Sequence, residues 1–169
     1  AAGLCVYVSS EAVYPFSDDP LTEETTPDPT ECYGLAKSVG ERVLRYVSEA
    51  SGMPLLILRL SALYGVGDTH GAYGPNRFIR SIMTEGVVRL FGGGEERRDH
   101  LHVNDAARLI RDLIRQGATG TFNLATGVSW SFAEVVETLR RIAAMPFEAI
   151  SLPRKVPIGH RHLDVARLS

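Results

Sequence analysis

The chain has 169 residues, of which 44% are hydrophobic and 22% are charged, and its formal net charge is −2 at pH 7. This length suits one ordinary domain with its own core, and the nearly neutral charge offers no basic field for nucleic acid or an anionic membrane. No apolar run is long enough to cross a bilayer and no signal-peptide pattern is present, so we expect a soluble protein without a membrane partner.

The first predicted element is a buried strand close to Ala1. Leu4 to Val8 form a continuous apolar run that stops at Ser9 and Ser10, which is typical of a strand covered on both faces in a parallel sheet. Open parallel sheets place their chemistry at this end of a strand, although the position of Ser10 alone favours a helix cap or a turn residue. Because a domain rarely begins so abruptly and Ala1 is not a methionine, we expect a fragment that lacks an amino-terminal part.

The chain contains two cysteines without a metal-binding or redox spacing. Cys5 lies in the first strand and Cys32 at the start of the next predicted helix. Two unpatterned cysteines predict reduced thiols, and therefore a cytoplasmic protein.

A helix is predicted from about Thr30 to Ser51, after a proline-rich surface loop that begins at Ser17. Tyr33 and Lys37 are four residues apart and project from one face of this helix, where the ammonium can stabilise the phenolate form of the tyrosine. This pattern predicts an acid-base tyrosine, with a serine hydroxyl from a nearby strand as the third group. The spacing alone is weak, since a half-buried tyrosine beside a solvated lysine is commoner on helices.

A second fully apolar strand is predicted from Leu55 to Leu60, and it completes a βαβ unit with an expected right-handed crossover. Residues 61–75 are rich in glycine and predict a flexible segment that either closes over a ligand or is only a long loop. A helix from Asn76 to Glu85 and a strand from Val87 to Phe91 follow. Gly92–Gly94 is interpreted as a turn rather than a phosphate cradle, because it does not precede a helix.

Two histidines alternate after this turn. His100 and His102 would share one face of a strand, which could start a metal site, but no third ligand is indicated nearby. We therefore predict no metal and interpret both histidines as structural or substrate-edge residues. A helix from Asn104 to Gln116 follows them.

The last third of the chain predicts further short elements. Thr121–Thr126 has the pattern of a short strand, and Ser131 and Glu134 have the Ser-x-x-Glu form of a capping box that opens a helix. Phe147–Leu152 is compatible with a strand, and Val165–Ser169 begins an element that the chain does not finish.

The order of these features is more specific than any single motif. In chain order they are a buried strand ending Ser-Ser, Val-Tyr, Tyr-Gly-x-x-Lys, Leu-Arg-Leu, Tyr-Gly-x-Gly-Asp, Gly-Gly-x-x-x-Arg-Asp-x-x-x-Val-x-Asp and Phe-Asn-x-x-x-Gly. From Val6 to about Asp164 the chain resembles the extended short-chain dehydrogenase/reductases, in the NAD-dependent epimerase/dehydratase family that includes nucleotide-sugar 4-epimerases.

The resemblance implies an α/β fold. Residues 1–68 would form the carboxyl-terminal part of a Rossmann-type, doubly wound parallel sheet that binds NAD(P). Residues 69–169 would form mainly a smaller α/β substrate-binding region, and the strand around Phe122 either belongs there or returns to the main sheet.

The resemblance also implies roles for individual residues. The implied catalytic residues are Ser10, which holds the reacting oxygen, Tyr33, the acid-base, and Lys37, which supports the phenolate and the cofactor ribose. The implied cofactor-binding residues are Tyr33, Lys37, Leu60, Ser61 and Leu63. The implied substrate-binding residues are Ser10, Glu11, Asn76 and Arg98, with Arg98 on the diphosphate of a nucleotide sugar.

The departures from the family pattern concern substrate and cofactor. Glu11-Ala12 stands where dehydratases carry an Asp-Glu pair, which argues against dehydration. Ala62 replaces an asparagine that contacts substrate phosphates in many epimerases, and Pro15 replaces a usual glycine. A Gly-x-x-Gly-x-x-Gly turn for the cofactor pyrophosphate does not occur in these 169 residues.

The resemblance therefore predicts an NAD-dependent sugar or nucleotide-sugar epimerase that acts through a transient ketone, with NADP left open as the cofactor. The alternatives are a sugar reductase or dehydrogenase with the same residues, and a non-catalytic dinucleotide-binding or scaffold protein. We expect residues 1–169 alone to be inactive. Val39, Val43 and Val47 permit a homodimer through the Tyr33–Lys37 helix, and they suit a core equally well.

Overall fold

The computed structural model describes residues 3–68 and 74–168. The strands are β1 (Cys5–Ser10), β2 (Pro20–Leu21), β3 (Leu55–Leu60), β4 (Ala62–Tyr64), β5 (Val87–Phe91), β6 (Arg97–His102), β7 (Gly120–Leu124), β8 (Ser129–Ser131), β9 (Glu148–Leu152) and β10 (His162–Leu163). The helices are α1 (Cys32–Ser51), α2 (Pro75–Glu85), α3 (Val103–Arg115) and α4 (Phe132–Ile142), and 3-10 turns cover Glu11–Val13 and Ala166–Leu168. Residues 69–73, part of the glycine-rich segment predicted after β3, lie outside the described residues.

The main sheet is parallel and has the strand order β1-β3-β7. Its middle strand, β3, is buried at every position because a strand between two neighbours and two packed faces has no side chain left for solvent. Ser10 at the end of β1 lies opposite Leu60 at the end of β3, and Leu60 lies opposite Leu124 at the end of β7. The carboxyl ends of all three strands therefore meet at one edge, and the predicted α/β fold with a parallel sheet is confirmed.

Helix α1 packs on β1 through glycines. A Cβ atom at Gly34 would lie 2.0 Å from the carbonyl oxygen of Ala12, and one at Gly40 would lie 2.2 Å from the hydroxyl of Tyr7. The helix ends at Gly52, whose φ of 71° is the left-handed conformation that glycine adopts without strain. The Gly34 contact fixes the start of α1 against the 3-10 turn that follows β1, and the Gly40 contact brings the middle of the helix against β1 itself.

The second part of the structure surrounds its own apolar cluster. Strands β5 and β9 pair in parallel, β6 pairs with β4 and β8, and helices α2 and α4 cover this layer. The cluster comprises Phe78, Ile82, Val88, Leu90, Phe132, Val136, Leu139 and Phe147. The Ser131–Glu134 capping box that the sequence predicted at the start of α4 is present with both of its hydrogen bonds.

Helical periodicity alone did not show whether the apolar stripe of α1 faces the core or the solvent. Val39, Val43 and Val47 are 51%, 55% and 41% exposed, whereas the buried positions of the helix are Gly34 and Glu41. The side of α1 that faces the sheet thus carries small and polar residues. None of the helices in the described part of the chain combines the length and apolar character needed to span a bilayer.

Candidate active site

A cavity of about 610 Å³ lies at the edge where β1 and β3 end. Ser10, Tyr33, Leu60, Asn76 and His100 are among its lining residues. This is the edge at which open parallel sheets bind their ligands, because the loops that follow the strands diverge there. The structure therefore brings predicted site residues from β1, α1, β3 and α2 into one cavity.

Ser10 serves two purposes at this edge. Its Oγ accepts a hydrogen bond of 3.2 Å from the backbone N–H of Ala12, which caps the Glu11–Val13 turn. The same residue lines the cavity beside Tyr33. The interpretation of Ser10 as a cap is correct locally, and it leaves the hydroxyl proton available for another acceptor.

Tyr33 and Lys37 lie next to each other on the first turns of α1. The Lys37 Nζ is 5.8 Å from the centroid of the Tyr33 ring and donates a 2.8 Å hydrogen bond to the carbonyl oxygen of Val8. That bond ties the ammonium to β1, while Tyr33 is 56% exposed and reaches the cavity. The arrangement places a held positive charge beside an accessible phenol, as the four-residue spacing predicted.

A group of buried polar residues lies beneath this edge, and we call it the buried network: Ser9, Tyr14, Glu41, Arg59 and Asn123. The Arg59 guanidinium donates to both oxygens of Glu41, from Nε at 3.0 Å and from Nη2 at 2.7 Å, and the Ser9 hydroxyl donates to Glu41 Oε1 at 2.6 Å. Arg59 also donates to the Tyr14 hydroxyl at 2.8 Å, and Tyr14 donates to Asn123 at 2.7 Å.

The ionisation of the buried network follows from its hydrogen bonds. Burial opposes the charge on Glu41, but the hydrogen bonds from Arg59 and Ser9 outweigh it and hold the pKa of this carboxyl below its ordinary value. Burial raises the pKa of Tyr14 to about 12, so its hydroxyl stays protonated and donates. We did not predict this network, because in the sequence Glu41 is one more polar residue on an amphipathic helix.

Three residues predicted to bind cofactor line the cavity after β3. Leu60 ends β3, and Ser61 and Leu63 lie just beyond it. Ser61 is fixed by its backbone N–H, which donates to the Leu124 carbonyl at 3.0 Å. Its hydroxyl lies 3.5 Å from a carboxylate oxygen of Asp99, at the outer limit of a hydrogen bond. These residues share the cavity with Ser10 and Tyr33.

Asn76 holds a loop at the rim of the cavity. Its Nδ2 donates to the carbonyl oxygen of Gly65 at 2.8 Å and to a carboxylate oxygen of Asp68 at 3.0 Å. The amide donors are thus engaged within the protein. Asn76 lines the cavity, so its side-chain oxygen is the group it offers to a ligand.

Arg98 lies away from the larger cavity, in a neighbouring cavity of about 280 Å³. Its Nη1 donates to the carbonyl oxygens of Arg97 at 2.7 Å and Gly159 at 2.6 Å, and its guanidinium lies 5.3 Å from the centroid of Phe16. Arg161, which the sequence did not single out, lies 4.4 Å from the same ring. Two guanidinium groups therefore lie over the Phe16 ring, and that of Arg98 also lines the smaller cavity.

Glu11 lies between the two cavities and lines both. The residue is 7% exposed, and its Oε2 has no hydrogen-bond partner among the described residues. Burial raises the pKa of Glu11 to about 7, even though Arg161 and Arg98 act in the opposite direction. A buried carboxylate oxygen without a partner is rare in native structures and requires an explanation.

The two histidines of β6 have different roles. His102 accepts a hydrogen bond of 3.2 Å from the backbone N–H of Asn104 at Nδ1 and caps α3. His100 lines the larger cavity, and both of its ring nitrogens are buried without a partner in the part of the chain that the structure describes. Burial, followed by the charge of Arg98, lowers the pKa of His100 to about 4, so the ring is neutral at pH 7.

Comparison with curated proteins identifies relatives of this chain. The chain is 28% identical over 156 residues to the UDP-glucose 4-epimerase of Halalkalibacterium halodurans, a match that covers 80% of this chain and 46% of that protein. It is 28% identical over 134 residues to a dTDP-4-dehydro-6-deoxyglucose reductase of Escherichia coli, a match that covers 78% of this chain and 42% of that protein. The chain thus spans less than half the length of these curated relatives.

A solved structure shows the same fold. The UDP-N-acetylglucosamine 4-epimerase of Methanobrevibacter ruminantium M1, in complex with UDP-N-acetylmuramic acid, superposes with a TM-score of 0.89 at 24% identity, over 98% of this chain and 55% of that one. The model of the NAD dependent epimerase/dehydratase family matches residues 2–125, well over half of the chain. The chain belongs to the NAD dependent epimerase/dehydratase family.

Proposed function

We propose that this chain provides the acid-base and substrate-binding residues of an NAD-dependent nucleotide-sugar epimerase. The observation that carries the proposal is the common cavity of Ser10 and Tyr33, with the Lys37 ammonium held 5.8 Å from the tyrosine ring. Tyr33 takes the proton of a sugar hydroxyl when its carbon is oxidised, and returns a proton when the carbon is reduced from the opposite face. Ser10 donates to the reacting oxygen, and Lys37 stabilises the phenolate.

The residues around the cavity fit part of an NAD site. NAD, when bound, supplies the hydride acceptor. Two of the three ammonium protons of Lys37 remain for ribose hydroxyls after its bond to Val8, and Leu60, Ser61 and Leu63 offer a mainly apolar wall for the nicotinamide. Residues 1–68 would form the cofactor side of the site, and residues 69–169 would form mainly the substrate side. Strand β7 is an exception to this division, because it pairs with β3 in the main sheet. NADP remains the alternative.

The substrate end is proposed from the smaller cavity. Arg98, supported by the nearby Arg161, provides the charge that a nucleotide diphosphate requires. The apolar rings of Phe91 and Phe132 line the same cavity and suit the nucleoside. A sugar joined to that diphosphate would then extend past Glu11 to Ser10 and Tyr33.

Three alternatives to an epimerase can be compared by the residues that they require. A reductase or dehydrogenase would use the same Ser10, Tyr33 and Lys37, while a dehydratase is disfavoured because Ala12 offers no second acid or base. A non-catalytic dinucleotide-binding or scaffold protein has no need of Ser10 and Tyr33 at one cavity with Lys37 beside the tyrosine. Cys5 and Cys32 are free thiols, in keeping with a cytoplasmic protein.

The test uses the protein in its natural full length with NAD and UDP-glucose. We expect the C4 epimer to form, observed by proton NMR of the sugar, and Tyr33→Phe to lower kcat by about 10²–10⁴-fold because the proton acceptor is lost. The matched control is Tyr46→Phe, an exposed tyrosine on the same helix. Equal activity of Tyr33→Phe would overturn the mechanism, and accumulation of a reduced or oxidised sugar would favour the dehydrogenase alternative.

We further propose that residues 1–169 alone are inactive, and that α1 forms a homodimer. Without a Gly-x-x-Gly-x-x-Gly turn these residues hold only part of the expected cofactor contacts, so turnover by the purified 169-residue chain would contradict the proposed inactivity.

The proposed homodimer is supported by the exposed apolar side chains of α1, which are Leu35, Val39, Val43, Tyr46 and Val47. Sedimentation velocity of the full-length protein and its Val43→Glu variant tests it, with the dimer expected only for the natural residue.

A further inference from the structure

Glu11 marks the junction between the two cavities. The larger cavity contains Ser10 and Tyr33, the smaller contains Arg98, and Glu11 and Ala62 line both of them. Since Ala62 has no polar side chain, Glu11 is the group that a ligand meets when it extends from Arg98 toward the acid-base pair.

The charges are distributed unequally along this path. The described residues that line the larger cavity include the carboxylates Glu11, Glu31 and Asp68, and they include no lysine or arginine. His100 in the same cavity is neutral at pH 7. Arg98 lines only the smaller cavity. The smaller cavity also has a second carboxylate, Glu96, which forms an ion pair with Arg154. The charged residues that line the Ser10 end are therefore all acidic, with the Lys37 ammonium beside the Tyr33 ring, whereas the lining of the Arg98 end includes a guanidinium.

The nearby cations do not satisfy Glu11. Arg98 directs its Nη1 to two backbone carbonyls, and the guanidinium groups of Arg98 and Arg161 both lie over the ring of Phe16. Within residues 3–68 and 74–168 neither arginine forms an ion pair with Glu11, and Oε2 has no hydrogen-bond donor. A hydrogen-bond donor from a bound molecule would satisfy Oε2 and offset the cost of burying it.

We propose that the larger cavity selects an uncharged sugar over a sugar acid, and that Glu11 is the selecting residue. This inference rests on the proposed function, since it concerns the sugar of the same nucleotide-sugar substrate. A sugar hydroxyl donates to the Glu11 carboxylate. The carboxylate of a hexuronic acid would add a further negative charge to a cavity already lined by Glu11, Glu31 and Asp68. Because Glu11 is buried, water screens its repulsion only weakly.

The experiment compares two ligands that differ only in a hydroxymethyl group and a carboxylate. UDP, UDP-glucose and UDP-glucuronate are titrated by calorimetry into the natural full-length protein with NAD at pH 8, above the pKa of about 7 of Glu11. The variants are Glu11→Gln, Glu11→Ser and, as a matched control, Glu137→Gln, a solvent-exposed carboxylate on α4. If UDP does not bind, dTDP and GDP are tried, and the hexose and hexuronate linked to the nucleotide that binds are compared.

We expect the natural protein and Glu137→Gln to bind the hexose ligand about tenfold or more tightly than the hexuronate, an affinity difference of about 1.4 kcal/mol or more. In Glu11→Gln and Glu11→Ser this ratio should fall toward one. Equal or tighter binding of the hexuronate by the natural protein, or an undiminished ratio in both Glu11 variants, would overturn the inference. Failure of all three nucleotides to bind would instead refute the proposed function.

Discussion

Two groups of buried polar side chains lie within the same edge of the sheet and differ in one respect. In the buried network, Glu41 and Arg59 are almost fully buried and satisfy each other with two hydrogen bonds. Glu11 and His100, which we call the unpartnered pair, have buried polar atoms without a partner among the described residues. The comparison indicates that a satisfied polar group serves the fold, whereas an unsatisfied one beside a cavity is available to a ligand.

The largest predicted effect breaks the buried network. Glu41→Leu leaves the Arg59 guanidinium buried without its carboxylate, and we expect the free energy of unfolding to fall by about 3–5 kcal/mol. Urea denaturation of the full-length protein measures this. The control is the double variant Glu41→Leu/Arg59→Leu, which removes both charges and should recover a large part of the loss. A single variant as stable as the natural protein would show that the network does not hold the fold.

A second prediction concerns the contact that holds α1 against the turn after β1. Gly34→Ala places a methyl group 2.0 Å from the Ala12 carbonyl, so α1 must move, and we expect a loss of about 1–3 kcal/mol in the free energy of unfolding. The control is Gly52→Asn at the end of the same helix, where a Cβ atom would have no neighbour within 4 Å, and this variant should cost less. Similar losses in both variants would show that the Gly34 contact is not tight.

The third prediction sharpens the comparison through pH. The pKa of Glu11 rises from 4.5 to about 7 on folding, so the folded state binds this proton more tightly and stability falls as pH rises from about 4.5 to 7. The pKa of His100 falls from 6.5 to about 4, so its contribution is lost as pH falls from about 6.5 to 4. Relative to the natural protein, Glu11→Gln should gain stability with rising pH and His100→Phe with falling pH.

Urea midpoints between pH 4 and pH 8 test these opposite trends. Glu137→Gln, at an exposed position, should follow the natural protein throughout. Parallel curves for Glu11→Gln and the natural protein would mean that a partner satisfies Glu11 in solution.

The smallest stability effect is expected on the exposed side of α1. Val43→Ser changes a side chain that is 55% exposed, and the free energy of unfolding of the monomer should stay within about 0.5 kcal/mol. Thermal melts at two protein concentrations measure it. A larger loss that depends on concentration would show that this face is covered by a second copy, in agreement with the proposed homodimer.

Local pattern was sufficient for much of the chain. The strands predicted from Leu55 to Leu60 and from Val87 to Phe91 have the predicted bounds. A run of apolar residues favours a strand through the preferences of a few consecutive residues, so the pattern can be recognised locally. The capping box of Ser131 and Glu134 is equally local, since both of its hydrogen bonds close within one turn. The Tyr33–Lys37 proximity follows from helical geometry alone.

Other features depend on residues that are distant in sequence, and only the tertiary structure decided them. Glu41 and Arg59 are 18 positions apart, and Tyr14 and Asn123 are 109 apart, so no periodicity could pair them. Likewise, sequence placed Glu11 after Ser10 but did not reveal its burial, because that burial arises only in the packed fold, where Arg98 and Arg161 also lie close enough to influence its charge. The amino-acid order by itself determined most of the longer elements and the family, while packing at the sheet edge decided which buried polar groups have partners and which have none among the described residues.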